Sequence, residues 1–300
     1  MEIELLRKAI LRTLAYADVF DYPLTLAEIH RYLIERDATF QVVSWVVQEF
    51  LEPGEDVCRS GDFYTLPGRE SLVSHREQRL EIARQLWPYA IRFGLLIARL
   101  PSVRMVAVTG ALAMNNVESY ADIDYLVVTR PGRLWLARAL IIAVVRAAAQ
   151  SGVTLCPNYI LAENSLAYPA PSLYPAHELA QMIPLSGGRI YLQMRAANQW
   201  TECFLPNAAG MPSSEFIPAA QPDRTRWQAL GERLMQVPAL EKVELWEMKR
   251  KIHKFQRQYP YHAESAFTRD WCKGHFDGHG QRTIQSYQQR LKSLNLITEI

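Results

Sequence analysis

The chain has 300 residues, 49% of them apolar, enough for a sizeable core in two or three domains, which excludes a disordered protein. Its formal net charge of +2 gives no bulk attraction to nucleic acid. Cys58, Cys156, Cys203 and Cys272 have no paired spacing and read as reduced thiols, which points to a cytoplasmic protein.

In chain order, residues 3–17 carry apolar side chains at helical spacing, with acids among the first residues, unlike a signal peptide. A Pro turn follows, then Thr25 at an N-cap position with Glu28 three residues on, the pattern of a capping box. Residues 39–51 predict a third helix. "VCRSGDFYTLPGRE" sets Ser60-Gly61-Asp62 between two short β-prone runs, a hairpin signal. Three helices and a hairpin in this order resemble a winged helix. A winged helix that reads DNA brings cations to the duplex on its third helix. Here that helix has Glu49 and no Lys or Arg, leaving only Arg59 and Arg69 near the hairpin, so packing or a protein partner is the favoured role over DNA binding.

A long helix is expected over residues 74–99, and a β-prone run over "VRMVAV". The apolar segment 134–150 is interrupted by Arg138 and Arg146 and is short for a membrane span, so it predicts a buried helix and no membrane partner. "GVTLCPNYILAE" predicts another strand. Residues 168–188 read as chain that is Pro-rich at first and then helical, residues 189–200 as a further helix, residues 205–223 as a Pro/Ala/Ser-rich linker, and residues 224–300 as broken helices. The divisions are a module at 1–72, a central unit at 73–204, the linker at 205–223 and a helical region at 224–300. The expected fold class is α/β (α+β), with a mixed-sheet core.

Chemistry concentrates in "VAVTGALAMNNVESYADIDYLVVT". Side chains alternate faces along a strand, so Asp122 and Asp124 share one face about 7 Å apart while Ile123 points to the core. Two like charges there need a cation or solvent to compensate them. Paired carboxylates suit magnesium, with manganese a possible substitute, together with substrate phosphates. Gly110, at the end of the preceding strand, lets backbone approach a phosphate closely.

These residues resemble the signature of the DNA polymerase β-like nucleotidyltransferase superfamily, particularly its small bacterial members: Gly-Ser, a spacer, then Asp-hydrophobic-Asp in a strand. Gly110, Ala113 and Asp122-Ile123-Asp124 fall at the expected places within residues 103–162. The resemblance implies a nucleotidyltransferase core in which Asp122 and Asp124 bind magnesium and act in catalysis. It also implies contacts from Thr109, Gly110, Ala111 and Asn115 to a nucleoside triphosphate, whose nucleotidyl group passes to a hydroxyl or phosphate acceptor of unknown identity. Four positions depart from the pattern. Ala111 and Ala121 stand where Ser is usual, Asn115 where a second Gly is common, and Asn158 where a third carboxylate is expected. Glu163 is the nearest acid and is expected to complete the metal site with Asp122 and Asp124. The alternative is a catalytically silent nucleotide-binding or scaffold protein engaging a partner through its first module.

"DWCKGHFDGHG" gathers Cys272, His275, Asp277 and His279. Three readings stand: a zinc site lacking a second cysteine, a nucleotide pocket in which Lys273 and these histidines contact phosphate, and a histidine-rich loop capping a helix, the last favoured. In residues 247–258, Arg250, Lys254 and Arg257 form one stripe and Met248, Ile252 and Phe255 another, an amphipathic helix whose charged face is either solvated or binds RNA or a triphosphate. Trp246 and Trp271 read as core or interface.

Overall fold

The structure is a computed structural model that describes residues 2–212, 226–258, 266–274 and 278–296. The chain opens with α1 (Glu2–Asp18), β1 (Leu24–Thr25), α2 (Leu26–Arg31), α3 (Phe40–Glu49), β2 (Cys58–Ser60) and β3 (Phe63–Thr65). The three short strands form an antiparallel sheet in the order β1-β3-β2. The capping box is complete: the Glu28 amide donates to Thr25 Oγ1, and the Thr25 amide donates to Glu28 Oε2 at 2.8 Å. The hairpin turns at the expected Gly61, whose φ of +60° costs glycine little.

The long helix α4 (Leu72–Ala98) leads into β4 (Val103–Val108), the single turn α5 (Gly110–Ala113), β5 (Ile123–Thr129), α6 (Leu134–Ala149) and β6 (Leu155–Ala162). Then come α7 (Leu173–Gln181), β7 (Ile183–Ser186), α8 (Gly188–Ala197) and α9 (Thr201–Phe204). The described C-terminal elements are α10 (Arg226–Met235), α11 (Ala239–Gln258), β8 (Ala266–Phe267), β9 (Trp271–Lys273) and α12 (His279–Ser293). The fold is mixed α/β around a six-stranded mixed sheet of order β7-β4-β5-β6-β9-β8. Among the described strands of this sheet only β5 and β6 pair in parallel, joined by the crossover helix α6.

Alternation along the central strands assigns the layers. Val106 and Val108 of β4, with Ile123, Tyr125 and Val127 of β5, pack beneath α4, α6 and the Met248, Ile252 and Phe255 stripe of α11. Met105, Ala107, Leu126 and Val128 face the other way, toward α7 and α8. By the same parity Asp124 belongs to the α7 side of the sheet.

Three expectations change. β7 and β9 extend the sheet where helical chain and broken helix were expected. Pro184 sits on the edge strand β7, where its missing N–H leaves no central ladder incomplete. The stretch expected as linker starts as core: Leu205 and Ala208 are buried, and Asn207 Nδ2 donates to the His30 carbonyl at 2.9 Å. Its remainder, residues 213–223, lies outside the described residues. The first module is also no separate bead. Its core continues through Leu173, Ala176 and Ala180 of α7 into Tyr287 of α12, and Asp18 accepts from both Arg69 Nε (2.7 Å) and Arg290 Nε (2.6 Å).

Candidate functional site

At the α7 side of β5, the ligand atoms of Asp122, Asp124 and Cys156 lie within 4.8 Å of one another. The partners of Asp124 are set by strand register. It sits opposite Cys156 in the parallel pair, whereas Leu126, two residues on, sits opposite Tyr159, so β6 carries one extra residue between. Pro157, which has no amide to give the ladder, falls within that irregularity. The extra residue lets Asn158 reach back, and its Nδ2 donates to Asp124 Oδ1 at 2.5 Å. Cys156 Sγ in turn donates to Asn158 Oδ1 at 2.8 Å.

Gly110 is fixed by this cluster. Its φ is +64°, and a Cβ there would lie 2.4 Å from Asp124 Oδ2. Only a residue without a side chain lets the turn close over that carboxylate. Burial holds the Asp124 carboxyl well above the usual range, and the charges of Asp122 and Glu178 push it further the same way. Burial, followed by Asp124 and Asp122, likewise raises the Cys156 thiol. The cluster therefore has negative neighbours, and the Asn158 amide is a neutral partner. A half-buried carboxylate with acidic neighbours is what a divalent cation compensates. Two carboxylates are oxygen donors of the kind magnesium and manganese take, whereas the Cys156 thiol is a donor magnesium does not favour.

The cluster opens into a cavity of about 550 Å³. α1 supplies Tyr16 and Phe20 to its wall, and α7 supplies His177 and Glu178. No Arg or Lys is among the described residues lining it. Burial raises Glu178 to about 7, with Lys273 opposing the shift. His177 is 5% exposed, and burial lowers it to about 3, so its imidazole is neutral at physiological pH. Its ring stacks on Tyr16 with centroids 4.0 Å apart.

The other expected site residues divide. Ala111 lines the cavity beside Gly110. Thr109 does not: its amide donates to the Asp124 carbonyl at 3.0 Å, while its buried hydroxyl has no hydrogen-bond partner among the described residues. Asn115 turns into the core, where its Oδ1 accepts from Trp87 Nε1 at 2.7 Å; the neighbouring Asn116 faces the cavity instead. Glu163 is no partner of the aspartates. Its amide pairs with the Thr129 carbonyl, at the opposite end of β5, and its carboxylate faces Arg104 at 3.2 Å. Five strand residues, roughly 17 Å, separate it from Asp124. Lys273 lies on β9 over the Tyr159 ring, 5.4 Å from its centroid, and adjoins the lining residue Gly274.

In the histidine-rich stretch, Cys272 packs into the core on the α4/α6 side of the sheet, whereas His279 lines the cavity on the α7 side, so these two do not share a metal. His275 and Asp277 lie outside the described residues. Cys156, Glu178, His177 and Tyr16 were not read from sequence as site residues. Strand register brings in the first, and the packing of α7 and α1 the others.

Compared with family models, curated proteins and solved structures, the chain matches none.

Proposed function

We propose that the protein is a divalent-cation-dependent nucleotidyltransferase of the DNA polymerase β-like superfamily, its first module a winged helix turned to building the site rather than to reading DNA. The observation that carries this reading is the Asp122/Asp124 pair at the mouth of the cavity, with Gly110 pressed bare against Asp124 and no Arg or Lys among the described lining residues. Magnesium held by Asp122 and Asp124 supplies the positive charge that a triphosphate and its leaving pyrophosphate require. Asn158 holds Asp124 in one orientation, and Gly110 leaves the space beside it open.

The missing third carboxylate is replaced from another element. Glu178 faces the same cavity from α7 and its charge acts on Asp124. Poised near neutral pH, its carboxylate takes the proton from the acceptor hydroxyl as that oxygen bonds to the α-phosphorus and the bond to pyrophosphate breaks. DNA gains no support as a partner, because the exposed face of α3 carries Phe40, Val42 and Trp45 and no cation.

Asp122→Asn and Asp124→Asn test the proposal through magnesium-dependent binding of the four ribonucleoside triphosphates and pyrophosphate release. Loss of both in either variant is expected; wild-type behaviour in both variants overturns the reading. The silent nucleotide-binding alternative is favoured by Ala111 and Ala121 in place of Ser and by Asn158 where the resemblance calls for a carboxylate. It predicts binding without pyrophosphate release whatever acceptor is supplied.

A further inference from the structure

The cavity has two chemically different ends. One holds the carboxylates. The other is aromatic and neutral, where α1 of the first module meets α7. There Tyr16 Oη and both ring nitrogens of His177 are buried with no hydrogen-bond partner among the described residues. Neighbouring polar groups on the wall are already engaged: Tyr22 Oη donates to Glu28 Oε1 at 2.8 Å, and Thr13 Oγ1 to the Ala9 carbonyl at 2.8 Å. Leaving three polar atoms unpaired beside a cavity is costly, and folded proteins generally avoid it unless something else fills the bonds.

We infer that the Tyr16/His177 end is an acceptor subsite for a small, uncharged, ring-bearing alcohol, its ring edge bonded by Tyr16 and His177 and its hydroxyl directed to Glu178. The chemistry of the wall selects that class. A neutral imidazole offers one donor and one acceptor, and a phenol offers both, so together they match a ring edge of mixed polarity. An anionic group would meet no cation on this wall, since the described lining has no Arg or Lys. Phe20, Tyr22 and Tyr32 give the apolar surface that a ring covers, and about 550 Å³ is the size of a small-molecule site. His177 and Glu178 are consecutive on α7, so a molecule held by the first presents its substituents to the second. That adjacency assigns the subsite to the acceptor rather than to the triphosphate donor.

The inference rests on the transferase reading for the ligand's role, but its test does not. The full chain is titrated calorimetrically with the four ribonucleosides and phenyl glucoside, all uncharged rings bearing hydroxyls. Tyr16→Phe and His177→Phe keep the ring stack and remove the unpaired atoms. At least one probe is expected to bind, at least tenfold more weakly in each variant. Both variants, without probe, are expected to melt at a higher temperature than the wild type, because unpaired buried groups have been removed. A residue serving only the fold would give the opposite melting shift and leave probe binding alone. Failure of every probe to bind, or equal binding by wild type and both variants, overturns the inference. Saturating magnesium-ATP is expected to leave probe binding intact; mutual exclusion would overturn the acceptor assignment. Probe binding by Asp122→Asn distinguishes the two readings: if it persists while nucleotide binding is found nowhere, the transferase reading fails and the subsite stands.

Discussion

The two ends of β5 handle negative charge in opposite ways. At its far end Glu163 faces Arg104, which also pairs with the buried Glu232 of α10, and Arg189 stands 3.9 Å away. Glu244 of α11 is likewise satisfied, accepting from the Trp135 and Leu136 amides at the start of α6 at 2.7 and 2.9 Å. At the near end Asp122, Asp124 and Glu178 share a cavity whose described lining has no cationic Lys or Arg. Compensated acids hold elements together. Uncompensated ones cost stability, and a fold keeps them where a ligand supplies the missing charge.

The sharpest way to break this comparison is to remove the uncompensated charge. Asp124→Asn should lower cation-dependent nucleotide binding by roughly a hundredfold or more, by loss of a direct metal ligand, measured by titration with each triphosphate. The empty variant should be no less stable than the wild type. The mirror change at the far end is Arg104→Ala, which removes the guanidinium that Glu163 and Glu232 share. It should cost about 3 kcal/mol in denaturant unfolding and leave cation binding by the folded protein unchanged.

A smaller effect is read through pH. Burial raises Glu178 from 4.5 to about 7 in the folded state, among Asp124, Lys273, Tyr16 and Tyr168. A carboxyl with a raised folded value contributes stability below pH 4.5 that is lost as pH rises through about 7. Glu178→Gln should therefore match the wild type near pH 4.5 and exceed it by about 1–2 kcal/mol at pH 8, the group being only partly shielded from water. His177 acts with the opposite sign: lowered from 6.5 to about 3, it withdraws stability as pH falls below 6.5. Unfolding of wild type, Glu178→Gln and His177→Phe across pH 4–8 separates the two. The smallest effect is expected from Glu163→Gln, which should change cation affinity less than twofold in the same titration, since its carboxylate belongs to the far end.

Local signals in the sequence are borne out where the physics is local. The Thr25/Glu28 capping box, the Gly61 turn and the alternation that sets Asp124 opposite Ile123 each involve residues a few positions apart, and each is found in the fold. Asn158, singled out in the sequence, is found beside Asp124 and donates to its Oδ1. What was not legible depends on distant packing. Cys156 joins the cluster only because β5 and β6 pair in parallel in one register. Glu163, nearer in the sequence pattern, is carried to the wrong end by that same register. The strand β9 hides in "WCK", too short to show alternation, and Glu178 with His177 reads as an ordinary helix until α7 is set between sheet and first module.

The most direct test of the central claim is a titration of the full chain with Mn²⁺ alone, followed by electron paramagnetic resonance. One saturable site, displaced by magnesium and lost in Asp124→Asn, is the expected result. The absence of saturable binding, or a site that survives Asp124→Asn unchanged, would contradict the claim that a divalent cation completes this cluster.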